Sequence, residues 1–223
     1  HDVCSAVHPM ALTSEFFRRF RLSSRIQFRK PGLAYGHPLD GGRAGLAYQN
    51  LDDTVRALGV DGPSWRRLFE PFVTHWQELA DFTGSSLLRM PRHPLVAARF
   101  GLRVLEQGGP LWGTRFAGDI APALVTGVAA HSIVRLPGLA PAAAGLVLAT
   151  QAHVVGWPIP VGGSQSIVDA MVEDVLAHGG QIVTGGEVTS LAELPQSRAV
   201  LLDISPKAFL ALAGDAIPER YQR

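Results

Sequence analysis

Gly156-Trp157-Pro158-Ile159-Pro160-Val161-Gly162-Gly163-Ser164-Gln165, running on to Gly179-Gly180-Gln181-Ile182-Val183-Thr184, is the stretch from which the rest of the chain is placed. A Trp/Pro segment ends in a glycine pair. A segment of helical periodicity follows, and a second glycine pair opens a short β-rich run. Ile167, Met171 and Val175 fall at i, i+4 and i+8, with Val168, Val172 and Leu176 one residue on, which predicts one broad apolar stripe on a helix. Ser164 is placed to cap that helix, and Gly179 to end it in the left-handed conformation. Gln181–Thr184 and Glu187–Leu191 are read as short extended runs.

Working outward, Ala199-Val200-Leu201-Leu202-Asp203 is a continuous apolar run closed by an acid, the pattern of a strand buried on both faces of a parallel sheet. Ser205-Pro206 then opens a helix through Ala213. Upstream, residues 50–153 read as a helical middle. Asn50 caps a first helix, and Ser64 opens a long one carrying Trp65, Leu68, Phe69, Phe72, Val73, Trp76 and Leu79, with a kink or split expected at Pro71. Pro94 starts a third helix, Asp119 caps a fourth, and Ala140–His153 forms a fifth. Before them, residues 1–12 read as extended or loop, 15–21 as a short helix and Arg25–Phe28 as a strand. Tyr35–Asp40 and Ala44–Tyr48 read as a hairpin turning on Asp40-Gly41-Gly42-Arg43.

The 223 residues are 47% hydrophobic and 17% charged with a net charge of +1, a globular composition with no electrostatic footprint for nucleic acid. Of the 20 basic residues only Lys30 and Lys207 are lysine, which reads as coding bias. The single cysteine, Cys4, has no internal disulfide partner and is read as a small buried or half-buried residue. No run is long enough for a transmembrane helix and no signal peptide is visible, so the expected location is cytoplasmic. The chain opens at His1 inside an apolar segment and stops at Arg223 just after a helical pattern begins. Both ends read as lying within a larger protein.

The eight histidines form no HxH, HxxxH or HExxH spacing, so no metal site is expected. The sequences GxSxG, GxxxxGK[ST] and GxGxxG do not occur. Gly162-Gly163 at a helix start could set backbone N–H groups against an anion or a carbonyl.

The order Gly-Trp-Pro-x-Pro-x-Gly-Gly-Ser-x-x-x-x-x-Ala over 156–170, then Gly-Gly-x-Ile-x-Thr-Gly-x-x-Val over 179–188, resembles the flavoprotein superfamily of phytoene desaturases and amine oxidases. His1-Asp-Val-Cys-Ser-Ala-Val-His-Pro, Pro38-Leu-Asp-Gly-Gly-Arg-Ala, Pro91-Arg-His-Pro, Ala129-Ala-His-Ser and Arg198-Ala-Val-Leu-Leu-Asp-x-Ser-Pro extend the likeness to bacterial phytoene-dehydrogenase-like NAD(P)/FAD-dependent oxidoreductases over essentially the whole chain. The resemblance implies an α/β (α+β-like) architecture, in which a helix-rich substrate domain with a mixed β-sheet adjoins part of a Rossmann-like FAD domain. Residues 1–15 would link to the FAD domain, 16–160 form the substrate-binding domain, and 161–223 part of the FAD-binding domain.

It further implies FAD as cofactor, with Gly162, Gly163 and Ser164 near the flavin and Val188 on the adenine. Trp157, His131 and His153 are candidates for lining the site of a small apolar or amine substrate. Trp157 can equally be core packing, and the histidines satisfied helix-end residues. The family's GxGxxG fingerprint, which sets the pyrophosphate on a helix N-terminus, has no counterpart here, so FAD binding by these residues alone is expected to be weak or absent. The competing reading is a non-catalytic substrate-type or interaction domain, whose exposed apolar patches would favour a homodimer.

Overall fold

Asp40-Gly41-Gly42-Arg43 turns the chain back on itself because Gly41 and Gly42 adopt φ of 74° and 73°, a region side chains rarely enter. The turn joins β2 (Leu33–Leu39) to β3 (Arg43–Tyr48) as an antiparallel hairpin with Tyr35 opposite Ala47 and Leu39 opposite Arg43. This is the expected hairpin. The structure is a computed structural model that describes residues 6–86, 90–214, 217–218 and 220. Cys4, and most of the final helical pattern read from the sequence, lie outside the described residues.

The chain divides into two compact units, His1–Glu173 and Asp174–Arg223. In the first, the hairpin is followed by α4 (Leu51–Ala57), α5 (Gly62–Thr74), α6 (Trp76–Thr83), α7 (Pro94–Gly108), α8 (Ile120–Ala129) and α9 (Leu139–Val154). Asn50 caps α4 by accepting the Asp52 N–H at 2.8 Å. Helix α5 buries Trp65, Leu68, Phe69 and Phe72, an i, i+3, i+4, i+7 stripe. It runs through Pro71 and breaks four residues later, at His75, whose φ and ψ of −110° and 38° are not helical. Proline has no N–H to bond the preceding turn, so the ladder is already interrupted there.

The α5 stripe meets Leu79, Phe100, Leu124, Val128, Leu146, Ala149 and Ala152 in one core. Helices α8 and α9 cross closely because residue 145 is glycine; a Cβ there would stand 2.9 Å from the Ala129 Cβ. Asp119 does not cap α8 with its side chain. It accepts two hydrogen bonds from Arg43, at 2.9 and 2.7 Å, tying α8 to the hairpin turn.

A smaller, separate core lies in the same unit. Here α1 (Pro9–Thr13), α2 (Glu15–Arg19) and α3 (Leu22–Arg25) surround Ala11 and Leu22, together with Ile167 and Ala170 of α10 (Gln165–Ala177). Two sequence expectations are corrected in this region. Residues 9–13 are helical rather than extended, because Pro9 sits at the first helical position and Thr13 Oγ1 donates to the Pro9 carbonyl at 3.2 Å. Arg25 ends a helix, and the strand is the two-residue β1 (Phe28–Arg29), antiparallel to β4 (Ile159–Pro160). Among the described residues the β content is thus two antiparallel pairs in place of one mixed sheet, within a helix-rich α/β or α+β chain.

In the second unit, α10 ends as the sequence predicts. Gly179 takes φ of 79°, the Gly180 N–H reaches the Val175 carbonyl at 2.9 Å, and the Gly179 N–H reaches the Leu176 carbonyl at 3.0 Å. Ser205 caps α11 (Pro206–Ala213) through the Ala208 N–H at 3.2 Å. The predicted runs at Gln181–Thr184, Glu187–Leu191 and Ala199–Asp203 are not strands; Leu191–Glu193 is a 3₁₀ turn. Leu201 is 94% exposed. A strand exists only through a hydrogen-bonded neighbour, and no described strand lies in this unit to pair with it.

Candidate functional site

The β1–β4 pair delivers the chain to a glycine turn. After Ile159-Pro160, the Val161 N–H bonds the Gln27 carbonyl at 2.9 Å and the Gly163 N–H bonds the Pro160 carbonyl at 3.1 Å. Gly162 and Gly163 adopt φ of 90° and 89°, and nothing lies within 4 Å of where a Cβ would stand on either. The turn's open face is therefore bare backbone. Gly163 and Ser164 then offer their carbonyls to the Ser166 and Ile167 N–H groups, both at 3.1 Å, which starts α10.

Ser164 occupies the position before α10, and its Oγ lies 2.6 Å from His8 Nε2. His8 precedes α1, and its N–H donates to the Pro158 carbonyl at 2.8 Å, so the loop leading into the glycine turn also anchors the histidine. Together they edge an open cleft of about 410 Å³ lined by Val7, Phe17, Leu148, Ile167 and Val168. The site therefore has one polar pair and an otherwise apolar wall, suited to holding an apolar molecule by one oriented end. His8 was not among the candidates read from the sequence. Its signal was the His8-Pro9 step, which places a ring at a helix start 156 residues from its partner.

The other candidates sit elsewhere. Trp157 is 9% exposed, stacks on Tyr35 with ring centroids 4.8 Å apart, and donates from Nε1 to the Leu148 carbonyl at 3.3 Å. The exposed His131 meets its ring edge-on at 5.9 Å. His153 is buried in α9, where Nε2 accepts from Trp65 Nε1 at 3.0 Å. Accepting there leaves the neutral ring's proton on Nδ1, which has no hydrogen-bond partner among the described residues. Burial lowers the His153 pKa to about 4, against an opposing pull from the backbone of Gln49 and Tyr48. Tyr35 and Gln151 likewise bury an unpartnered oxygen, and burial drives the Tyr35 phenol above its ordinary range. The structure thus brings Trp157 and His131 together with Tyr35, inside or at the edge of the main core, and sets Ser164 on the apolar cleft, with Gly162 and Gly163 in the open turn that precedes it. Val188 belongs to the second unit, where it is partly exposed in irregular chain.

Among the described residues no three metal-ligating side chains converge, and no helix is long and apolar enough to cross a membrane. The fold and site define a helix-rich α/β or α+β chain carrying an apolar cleft. Comparison with protein-family models, curated proteins and solved structures gave no match.

Proposed function

We propose that the chain carries part of the substrate- and flavin-facing surface of a cytoplasmic FAD-dependent oxidoreductase of the phytoene-dehydrogenase-like kind. The observation that carries this reading is the cleft, where a Ser164–His8 pair, reached from an open glycine turn, edges a wall of apolar side chains. The ordered Gly/Trp/Pro and Gly-Gly motifs support it independently. When bound, the flavin supplies the hydride acceptor, which removes the need for a protein nucleophile.

The residues present suit one end of such a cofactor and not the whole dinucleotide. Gly162 and Gly163 leave backbone open to a planar ring, but the sequence offers no GxGxxG loop for the pyrophosphate. No reaction step is therefore assigned to these residues. Phe17, Leu148, Ile167 and Val168 would hold a small apolar or amine substrate, and His8 and Ser164 would orient it. Trp157 and His153 would support that wall from the core, and His131 would cover Trp157.

The test is spectroscopic and thermal. In keeping with weak binding, the chain should be colourless as purified, its melting temperature should rise when excess FAD is added, and Gly163→Val should remove that rise. A colourless chain whose melting temperature ignores FAD sinks flavin binding by this chain and favours the second reading, an interaction domain. Exposed apolar side chains at Val200, Leu201 and Ile204 support that second reading.

A further inference from the structure

Gln107, near the end of α7, is a neutral polar side chain that is only 7% exposed. It follows Glu106, whose carboxylate accepts from Arg115 at 2.6 and 2.7 Å and also from Arg103. Gln107 Nε2 joins that group at 3.4 Å. An ionised carboxylate can only accept, so Glu106 fixes the amide with its nitrogen toward the carboxylate and Oε1 turned away. Among the described residues Oε1 has no donor. An amide oxygen hidden from bulk water without a donor is costly, and the chemistry around it shows what would complete it.

Gln107 lines a hollow of about 100 Å³. Its other walls are Val125 and Ala129 of α8, Ala142 of α9 and Leu136-Pro137 of the linker before α9, with the 38% exposed Trp112 at its edge. Small residues leave the space. A Cβ on Gly108 would lie 2.7 Å from the Gly138 carbonyl oxygen, so the end of α7 and the start of α9 meet backbone to backbone, and the two alanines are too short to fill the gap beside that contact. Thr126 also lines the hollow. Thr13, Thr83 and Thr150 each donate to the carbonyl four residues back. The Thr126 hydroxyl makes no such bond and has no other partner among the described residues.

This lining selects the occupant. None of the described lining side chains is ionisable, so a charged ligand would lose its water without gaining a counter-charge. Arg103 and Arg115 are already committed to Glu106. The apolar wall calls for a compact apolar body: a cavity of ~150 Å³ takes up benzene, and this hollow is somewhat smaller but continues to the surface beside Trp112. An aromatic body suits that edge, because the indole offers it an offset or edge-on contact. Gln107 Oε1 accepts a hydrogen bond and the Thr126 hydroxyl can donate one, which are the two bonds a hydroxyl group makes.

We infer that the hollow between α7, α8 and α9 is a binding site for a small neutral aromatic alcohol of phenol size, its hydroxyl donating to Gln107 Oε1. The hollow shares no lining residue with the Ser164–His8 cleft. The inference is thus independent of flavin binding, and a chain whose melting temperature ignores FAD leaves it standing. The test is an NMR titration of the isotope-labelled full chain, following the tryptophan indole N–H signals, with that of Trp112 assigned by Trp112→Phe. Phenol should move the Trp112 signal, leave that of the core residue Trp65 in place, and saturate in the millimolar range expected of so small a ligand. Benzene should bind about five- to tenfold more weakly, the worth of one hydrogen bond. Benzoate and benzylammonium at the same concentrations should leave the signal unmoved. Gln107→Leu should bind phenol and benzene alike. Thr126→Val, which removes the hydroxyl and keeps the shape, should weaken phenol about two- to fivefold and leave benzene unchanged, and it decides the matter if Gln107→Leu does not fold. A Trp112 signal that ignores phenol, equal affinity for phenol and benzene in the parent, equal binding of the charged analogues, or a preference for phenol that survives both substitutions overturns the inference.

Discussion

Protonating His153 in the folded chain would put a charge between Trp65 and Phe69, whose rings lie 6.0 and 5.9 Å from the imidazole. Burial therefore holds its pKa near 4, below the roughly 6.5 of an unfolded histidine. Between those values the unfolded chain binds the extra proton and the folded chain does not. Stability from this site is thus intact above the unfolded value and falls as pH drops toward 4, by at most ~3 kcal/mol. Urea midpoints measured from pH 7 to 4 should show this slope in the parent and a shallower one in His153→Asn. An unchanged slope would show that His153 titrates normally.

Asp61, 4% exposed, makes the second residue-level test. Its carboxylate accepts the Ala117 and Gly118 N–H groups at 2.7 and 3.0 Å, and Asp61→Ala should cost about 2–3 kcal/mol by stranding both donors. Denaturant unfolding measures it, and a loss within error would refute the role. Neither residue announced itself in sequence. His153 was read as a pocket or helix-end residue, and Asp61 as part of a loop. Burial of a polar side chain depends on which distant segment closes over it.

At the scale of elements, two glycines with opposite surroundings give opposite predictions. A Cβ on Gly62 would stand 2.2 Å from the Val55 carbonyl oxygen, where α5 starts against α4. Gly62→Ala should therefore destabilise by about 1–3 kcal/mol. Gly101, inside α7, has nothing within 4 Å of its Cβ position, and Gly101→Ala should stabilise by about 0.5–1 kcal/mol through helix propensity. Thermal melts of the pair decide the matter, and a shift of the same sign in both would contradict it.

Local signals carried most of the helices. Asn50, Ser14 and Ser205 cap where short polar residues precede periodic runs, and the Gly41-Gly42 turn and the Gly179 ending follow from glycine's access to positive φ. Pairing beyond the local hairpin was the part not legible. Ala199–Asp203 has the composition of a buried strand, but composition says nothing of whether a neighbour is present. Asp119 was read as a cap because caps are local; its actual partner, Arg43, lies 76 residues away.

At the scale of the molecule, the second unit buries only Ala213 among its described residues. With so little apolar surface removed from water, its irregular stretch should open readily. Limited trypsinolysis should cut first at Arg198, and survival of that bond while arginines of the first unit are cut would reverse the ranking. The candidate site was half legible at this scale. Gly162, Gly163 and Ser164 stood out by motif, whereas His8 and the cleft's apolar wall come together only when α1 meets α10.

The β1–β4 clasp has a kinetic consequence. Phe28 pairs with Pro160 across a span of about 130 residues that contains the whole helical core. Closing so long a loop for two residues of ladder repays its entropy only after the core has condensed, so the clasp should form after the rate-limiting step of folding. Ile159→Ala should then speed unfolding while leaving the refolding rate unchanged. The polar pair at the cleft, which depends on the same closure, would be the last part of the first unit to assemble and the first to come apart.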